Sequence, residues 1–134
     1  MNKKFIISSL VMGFASLMLG FLVHATLLQN DYARLPSLYR PESQQQLYFG
    51  YMLLAHLLIG IGLTWIYRRG HEPGKGVLVQ GARFGIAIAV VSTIPVFLIY
   101  FAVQPVPSDL VAQQIVFDSI GMIVLGVIVA WLNK

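Results

Sequence analysis

Four long apolar runs divide the chain, at roughly Phe5–Leu28, Leu47–Tyr67, Phe84–Val103 and Leu110–Leu132. A helix rises about 1.5 Å per residue, so about 20 apolar residues cross a hydrocarbon core about 30 Å thick. Each run therefore predicts a membrane-spanning helix, and the polar stretches between them predict loops. The expected fold class is all-α integral membrane: four transmembrane helices in a compact antiparallel bundle, one domain over residues 1–134. The first run has a rival reading. Asn2-Lys3-Lys4, an apolar run and Val23-His24-Ala25 have the outline of a secretory signal. The run exceeds the usual signal core of about 7–15 residues, so it is read as a retained span.

Within each run the small and polar residues recur at helical spacing. Residues three, four and seven apart share a face. Ser9, Gly13, Ser16, Gly20 and His24 fall on one stripe of the first span. Met52, His56, Gly60 and Thr64 align on the second, and Gly81, Gly85, Ala89, Ser92 and Thr93 on the third. Gln114, Asp118, Gly121, Met122 and Leu125 align on the fourth. Lipid supplies no hydrophobic drive between helices, so small residues that permit close approach predict the packed faces. Ser9, Gly13, Ser16, Gly20, Gly60, Gly81, Gly85 and Gly121 are the expected packing positions. Pro95 lies inside the third span, frees the carbonyl of Val91 and predicts a kink, with Ser92 and Thr93 at hand to satisfy the freed group.

Composition supports the membrane class. Of 134 residues, 57% are hydrophobic and 10% charged, against about 25% charged in a soluble domain. Cysteine is absent, which removes disulfides, thiolate metal sites and thiol catalysis. The net charge of +4 forms no stripe with interleaved aromatics, so nucleic acid is not an expected partner. Instead Lys3, Lys4, Arg68, Arg69, Lys75, Arg83 and Lys134 gather on one face, and Arg34 and Arg40 on the other with Asp31, Glu42 and Asp109. The positive-inside rule then places both termini in the cytoplasm, in a membrane of prokaryotic inner type. Tyr32, Tyr39, Tyr48 and Tyr51 at one boundary, and Trp65, Tyr67 and Trp131 at the other, fit interfacial belts.

The loops carry further expectations. Residues 29–46 are long for a helix connection, which suits either an interfacial segment or a lid and partner contact. Asn30 or Asp31 is expected to cap a short helix through Arg34, Pro41 with Ser43 to open the second span, and Ser108 or Asp109 to cap the fourth. Residues 68–83 read as a flexible basic connector near anionic headgroups. Gly74-Lys75-Gly76 lacks the spacing and the Ser/Thr of a phosphate loop.

Candidate chemistry centres on Asp118, the single formally charged residue inside any run. An ionisable group at membrane depth costs about 2.5–3.5 kcal/mol on insertion scales and marks a functional-site hypothesis. Counted inward at about 1.5 Å per residue, Asp118 and His56 both lie about 14–15 Å deep, as does Thr93. The sequence therefore predicts a midplane polar cluster of His56, Asp118, Gln114 and Thr93, with His56 and Asp118 in contact or bridged by one water. His24 sits only about 6 Å deep on the same count, roughly 9 Å from His56 in depth. That offset argues against haem held by both histidines, while ligation of haem or a pigment by one of them stays open. No cofactor or metal is expected, and no catalytic set is evident beyond His56, Asp118 and Ser92. Two functions follow: a non-enzymatic accessory or structural subunit of a larger membrane complex, or a small proton-coupled transporter or ion path using His56 and Asp118 as an oligomer. Expected partners are the lipid bilayer and other membrane subunits or copies of the chain.

Overall fold

A computed structural model describes residues 2–134, which are helical with no strand among them. Four helices are long and apolar enough to cross a membrane: Lys3–Leu27, Glu42–Gly70, Val77–Val103 and Ser108–Leu132. These are called the first to fourth spans. Each apolar run lies within a span almost entirely, and the second and third extend beyond theirs into polar sequence. Asn2 opens the first span, its Oδ1 accepting from the Lys4 backbone N–H at 2.9 Å. The other expected side-chain caps are replaced by backbone geometry. Leu28, Pro41 and Pro107 take the capping positions before the short helix Gln29–Ala33, the second span and the fourth span, with no side-chain bond. Proline's fixed φ, −62° at Pro41 and −59° at Pro107, aims the chain into the helix that follows.

Two spans contain a wide π-type turn, Phe21–Leu27 in the first and Ala89–Thr93 in the third. The second of these immediately precedes Pro95, which has no N–H to continue the regular ladder. Ser92 Oγ donates to the carbonyl of Ile88 at 2.7 Å, three residues before the Val91 carbonyl expected to need it.

Packing runs through glycine. The first and second spans cross antiparallel where Gly60 lies so close to the first span that a Cβ there would sit 2.3 Å from the Ser9 carbonyl oxygen. Gly13 answers it, with a Cβ position 3.1 Å from the His56 carbonyl oxygen. The third and fourth spans interlock in the same way. A Cβ on Gly81 would meet Val127 Cα at 2.5 Å, one on Gly85 the Met122 carbonyl oxygen at 2.4 Å, and one on Gly126 the Gly81 carbonyl oxygen at 2.2 Å. Gly121 does not pack: nothing lies within 4 Å of its Cβ position. Gly126, five residues on, takes that role because the third span crosses the fourth nearer its C-terminal end. Met52 also leaves the expected inward stripe and is 45% exposed, since the second span diverges from the first beyond His56.

The first span also touches the fourth, joining the two hairpins. Near the termini, Met12, Leu63, Tyr67, Leu125, Val129 and Ala130 form one core. Tyr67 meets Phe84 edge-on there, with ring centroids 5.3 Å apart. Near the 29–46 loop, Val23, Leu28, Val106, Leu110 and Val111 form another, covered by Tyr32, Leu35 and Leu38. The loop is thus a cap on the first turns of the fourth span. At the opposite face Lys4 Nζ donates to the Lys134 carbonyl at 3.0 Å, while Arg69 stacks over Trp65 and Lys134 over Trp131. The expected flexible connector there is tied down by Gln80. Its side chain bonds the Glu72 backbone N–H and carbonyl, each at 2.9 Å, and the Lys75 carbonyl at 3.1 Å.

Candidate functional site: a polar clasp between the first and fourth spans

Asp118 lies against His24. His24 Nε2 is 3.1 Å from both carboxylate oxygens. The other ring nitrogen, Nδ1, is 2.5 Å from the Tyr32 hydroxyl. Gln114 Nε2 donates to that same hydroxyl oxygen at 3.1 Å. With Asp118 ionised and His24 neutral, one orientation satisfies all of these at once. Gln114 donates to Tyr32, Tyr32 donates to Nδ1, and Nε2–H donates to Asp118. The clasp therefore joins three elements: the first span, the short helix Gln29–Ala33 and the fourth span.

The partner of Asp118 differs from the one expected, and two features explain it. The wide turn Phe21–Leu27 inserts extra backbone, which changes the phase of the residues it contains. His24 therefore leaves the stripe of Ser9, Gly13, Ser16 and Gly20, which faces the second span, and turns to the fourth. The depth count fails for a second reason. Leu110 and Val111 pack under Leu28 and the loop cap, so the start of the fourth span stands above the end of the first. Asp118 is then level with His24, near the loop face, and not level with His56.

His56 has its own partner. Its Nδ1 is 2.8 Å from Ser16 Oγ, and Ser16 Oγ donates to the Gly13 carbonyl at 2.9 Å. The ring lies beside Gly20, whose Cβ position is 3.4 Å from Cε1 and 3.5 Å from Nε2. Thr93 is buried in the wide turn of the third span and shares no hydrogen bond with the cluster among the described residues. The expected four-residue cluster thus resolves into Asp118 with His24, Gln114 with Tyr32, His56 with Ser16, and Thr93 alone. An ion path built on a His56–Asp118 contact lacks that contact.

Tyr32 is the clasp residue that pattern reading assigned elsewhere, to an aromatic belt. Its only sequence signal is a hydroxyl eight residues beyond His24 in a segment that turns back. Burial pushes its phenol up to about 12 from 10.0, against the opposing hydrogen bond from Gln114. A phenol whose folded pKa is raised adds stability that is whole below pH 10 and lost as pH rises towards 12. Spectrophotometric titration of the folded protein should therefore show a late tyrosine component to which Tyr32 contributes. Tyr32→Phe should diminish that component; a curve unchanged by the substitution would assign it elsewhere.

The clasp is partly open, with His24 and Asp118 side chains 36% and 22% exposed. Two recesses lie elsewhere. One, of about 220 Å³, is bounded by Tyr67, Glu72, Gln80 and Arg83; the other, of about 520 Å³, lies within the loop at Pro36–Pro41 and Gln44. For ligation, both nitrogens of His24 are engaged, and no third His, Asp or Glu joins it and Asp118 among the described residues. No protein-family model, no curated protein and no solved structure matches the chain.

Proposed function

We propose that this chain is a small non-enzymatic integral membrane protein of a prokaryotic cytoplasmic membrane, serving as an accessory or structural subunit of a larger membrane complex. In this reading the two hairpins form a compact antiparallel bundle with both termini in the cytoplasm, as the basic residues on the termini face favour. The observation that carries it is where the polar groups of the clasp point. His24, Asp118, Tyr32 and Gln114 bond one another and fasten the loop cap to the spans, a use of intramembrane polar groups as packing glue. The second and third spans meanwhile present long uncovered apolar faces, including Leu53, Leu54, Leu58, Val90, Val91 and Ile99. Those faces suit lipid and the helices of neighbouring subunits alike.

Extraction from native membranes in a gentle detergent should recover the chain in a defined heteromeric complex, read by native mass spectrometry. Recovery only as a monomer or a homo-oligomer would overturn the subunit reading.

A further inference from the structure

The recess on the termini face lies apart from the clasp. It is bounded by Tyr67 and Gly70 of the second span, Glu72 of the connector, and Gln80, Arg83 and Phe84 of the third span. Its walls are held in place. Tyr67 is buried and meets Phe84 edge-on, with ring centroids 5.3 Å apart. Gln80 commits both ends of its amide to the connector. Its Oε1 accepts from the Glu72 backbone N–H, and its Nε2 donates to the Glu72 and Lys75 carbonyls.

The charges around the recess do not cancel. Glu72 is paired with Lys75. That ammonium, with a smaller pull from Arg83, holds the Glu72 carboxyl below the usual carboxylate range. The ion pairs among the described residues are His24–Asp118 and Glu72–Lys75, so Arg83 belongs to neither. One positive charge is left over. The Tyr67 hydroxyl has no hydrogen-bond partner among the described residues either, and it is not sealed from solvent. A guanidinium fork with a phenolic donor beside it suits a phosphate group, which the arginine grips through two N–H bonds.

Depth and shape narrow the source of that phosphate. Trp65, two residues before Tyr67, is exposed beneath Arg69, and Trp131 is exposed beneath Lys134. Tryptophans so placed belong at the headgroup level of a bilayer. Beyond Arg83 the third span carries no charge through Val103. The recess holds about 220 Å³, less than the roughly 300–1,000 Å³ of a pocket that encloses a whole small molecule. Apolar surface continues from it into the membrane. Ile66 lies one turn inward of Gly70, and Ile86 and Val90 lie one and two turns inward of Arg83 on its helix face. All three are exposed.

We propose that this recess binds the headgroup of an anionic phospholipid, with Arg83 and Tyr67 holding the phosphodiester and the apolar faces inward of Gly70 and Arg83 receiving the acyl chains. Basic pockets between membrane helices are suited to such headgroups. A single unpaired cation matches a single phosphodiester charge, as in a phosphatidylglycerol headgroup. An ethanolamine headgroup would bring an ammonium that must compete with Lys75 for Glu72, and a choline headgroup would bring a cation with no hydrogen to donate.

The test uses the full chain in detergent, with lipid binding read by native mass spectrometry. Phosphatidylglycerol, phosphatidylethanolamine and phosphatidylcholine of identical acyl chains are titrated separately, and inorganic phosphate is added as a competitor. One phosphatidylglycerol should bind more tightly than either zwitterionic lipid, and inorganic phosphate should not displace it. Arg83→Gln should weaken that binding about tenfold or more, the scale of a lost charge-assisted hydrogen bond. Arg69→Gln removes the same charge from the same face but lies outside the recess, and should change the affinity far less. Tyr67→Phe keeps the ring and should weaken binding about fivefold, the scale of one neutral hydrogen bond. It also serves should the Arg83 variant fail to fold, and unchanged binding by it would then overturn the proposal. Equal affinity for the three lipids, displacement by inorganic phosphate, or equal losses from Arg83→Gln and Arg69→Gln would overturn it as well.

Discussion

Gly126→Ala is expected to loosen the third span from the fourth, although it adds one methyl group. That methyl would sit 2.2 Å from the Gly81 carbonyl oxygen and 2.8 Å from the Gly85 backbone nitrogen. Both obstacles are backbone, so relief requires the helices to separate. Overpacking of this kind costs about 1–3 kcal/mol, occasionally more. Gly60→Ala should act similarly on the first hairpin, where the Ser9 carbonyl oxygen lies 2.3 Å from the new atom. Gly121→Ala is the control: its Cβ position is open, so better helix propensity should leave it neutral or add up to about 1 kcal/mol. Thermal unfolding in mild detergent measures all three. Equal stability of the Gly126 and Gly121 variants would show that the close crossing is not present in the folded protein.

The second large effect should come from Asp118→Ala. It strips His24 Nε2 of its acceptor, and an unpaired partly buried donor costs about 1–3 kcal/mol. Because the clasp holds the loop cap through Tyr32, the damage should extend to residues 34–40, which should become more sensitive to added protease. Asp118→Asn keeps an acceptor and should lose less. The decisive measurement is a double-mutant cycle with His24→Ala. Contacting groups show interaction energies of about 0.5–3 kcal/mol, whereas independent ones add to within about 0.3–0.5 kcal/mol. Additive losses from Asp118→Ala and His24→Ala would deny that the two side chains bond.

Much of the architecture was legible because apolar run length alone fixes the spans. The helix faces were legible where glycines repeat: Gly13, Gly60, Gly81 and Gly85 all line a close crossing. The site was less so, for reasons that are local and physical. A regular 3.6-residue period puts His24 on the stripe that faces the second span, and nothing in Phe21–Leu27 announces the wide turn that moves it. A depth count from Asp109 assumes that the fourth span begins at the level where the first one ends. Leu110 and Val111 are apolar because a protein cap covers them, and that is indistinguishable in sequence from contact with lipid. Tyr32 was hidden by the same ambiguity, since a tyrosine near a boundary ordinarily needs no partner but the headgroups. Gly121 and Gly126 show the limit of periodicity, as both are small and only the crossing point decides which one is used.

The order of the spans along the chain has a consequence for biogenesis. Each hairpin pairs neighbours in sequence, so each can close as soon as its second helix leaves the ribosome. The clasp is different, because His24 enters the membrane with the first helix and Asp118 with the last. Between those events the imidazole must wait without its carboxylate, and Tyr32 with the loop cap must wait without Gln114. The arrival of the fourth span is therefore the step that completes the polar interior. A nascent chain stopped before residue 118 should hold a closed first hairpin under an unfastened loop.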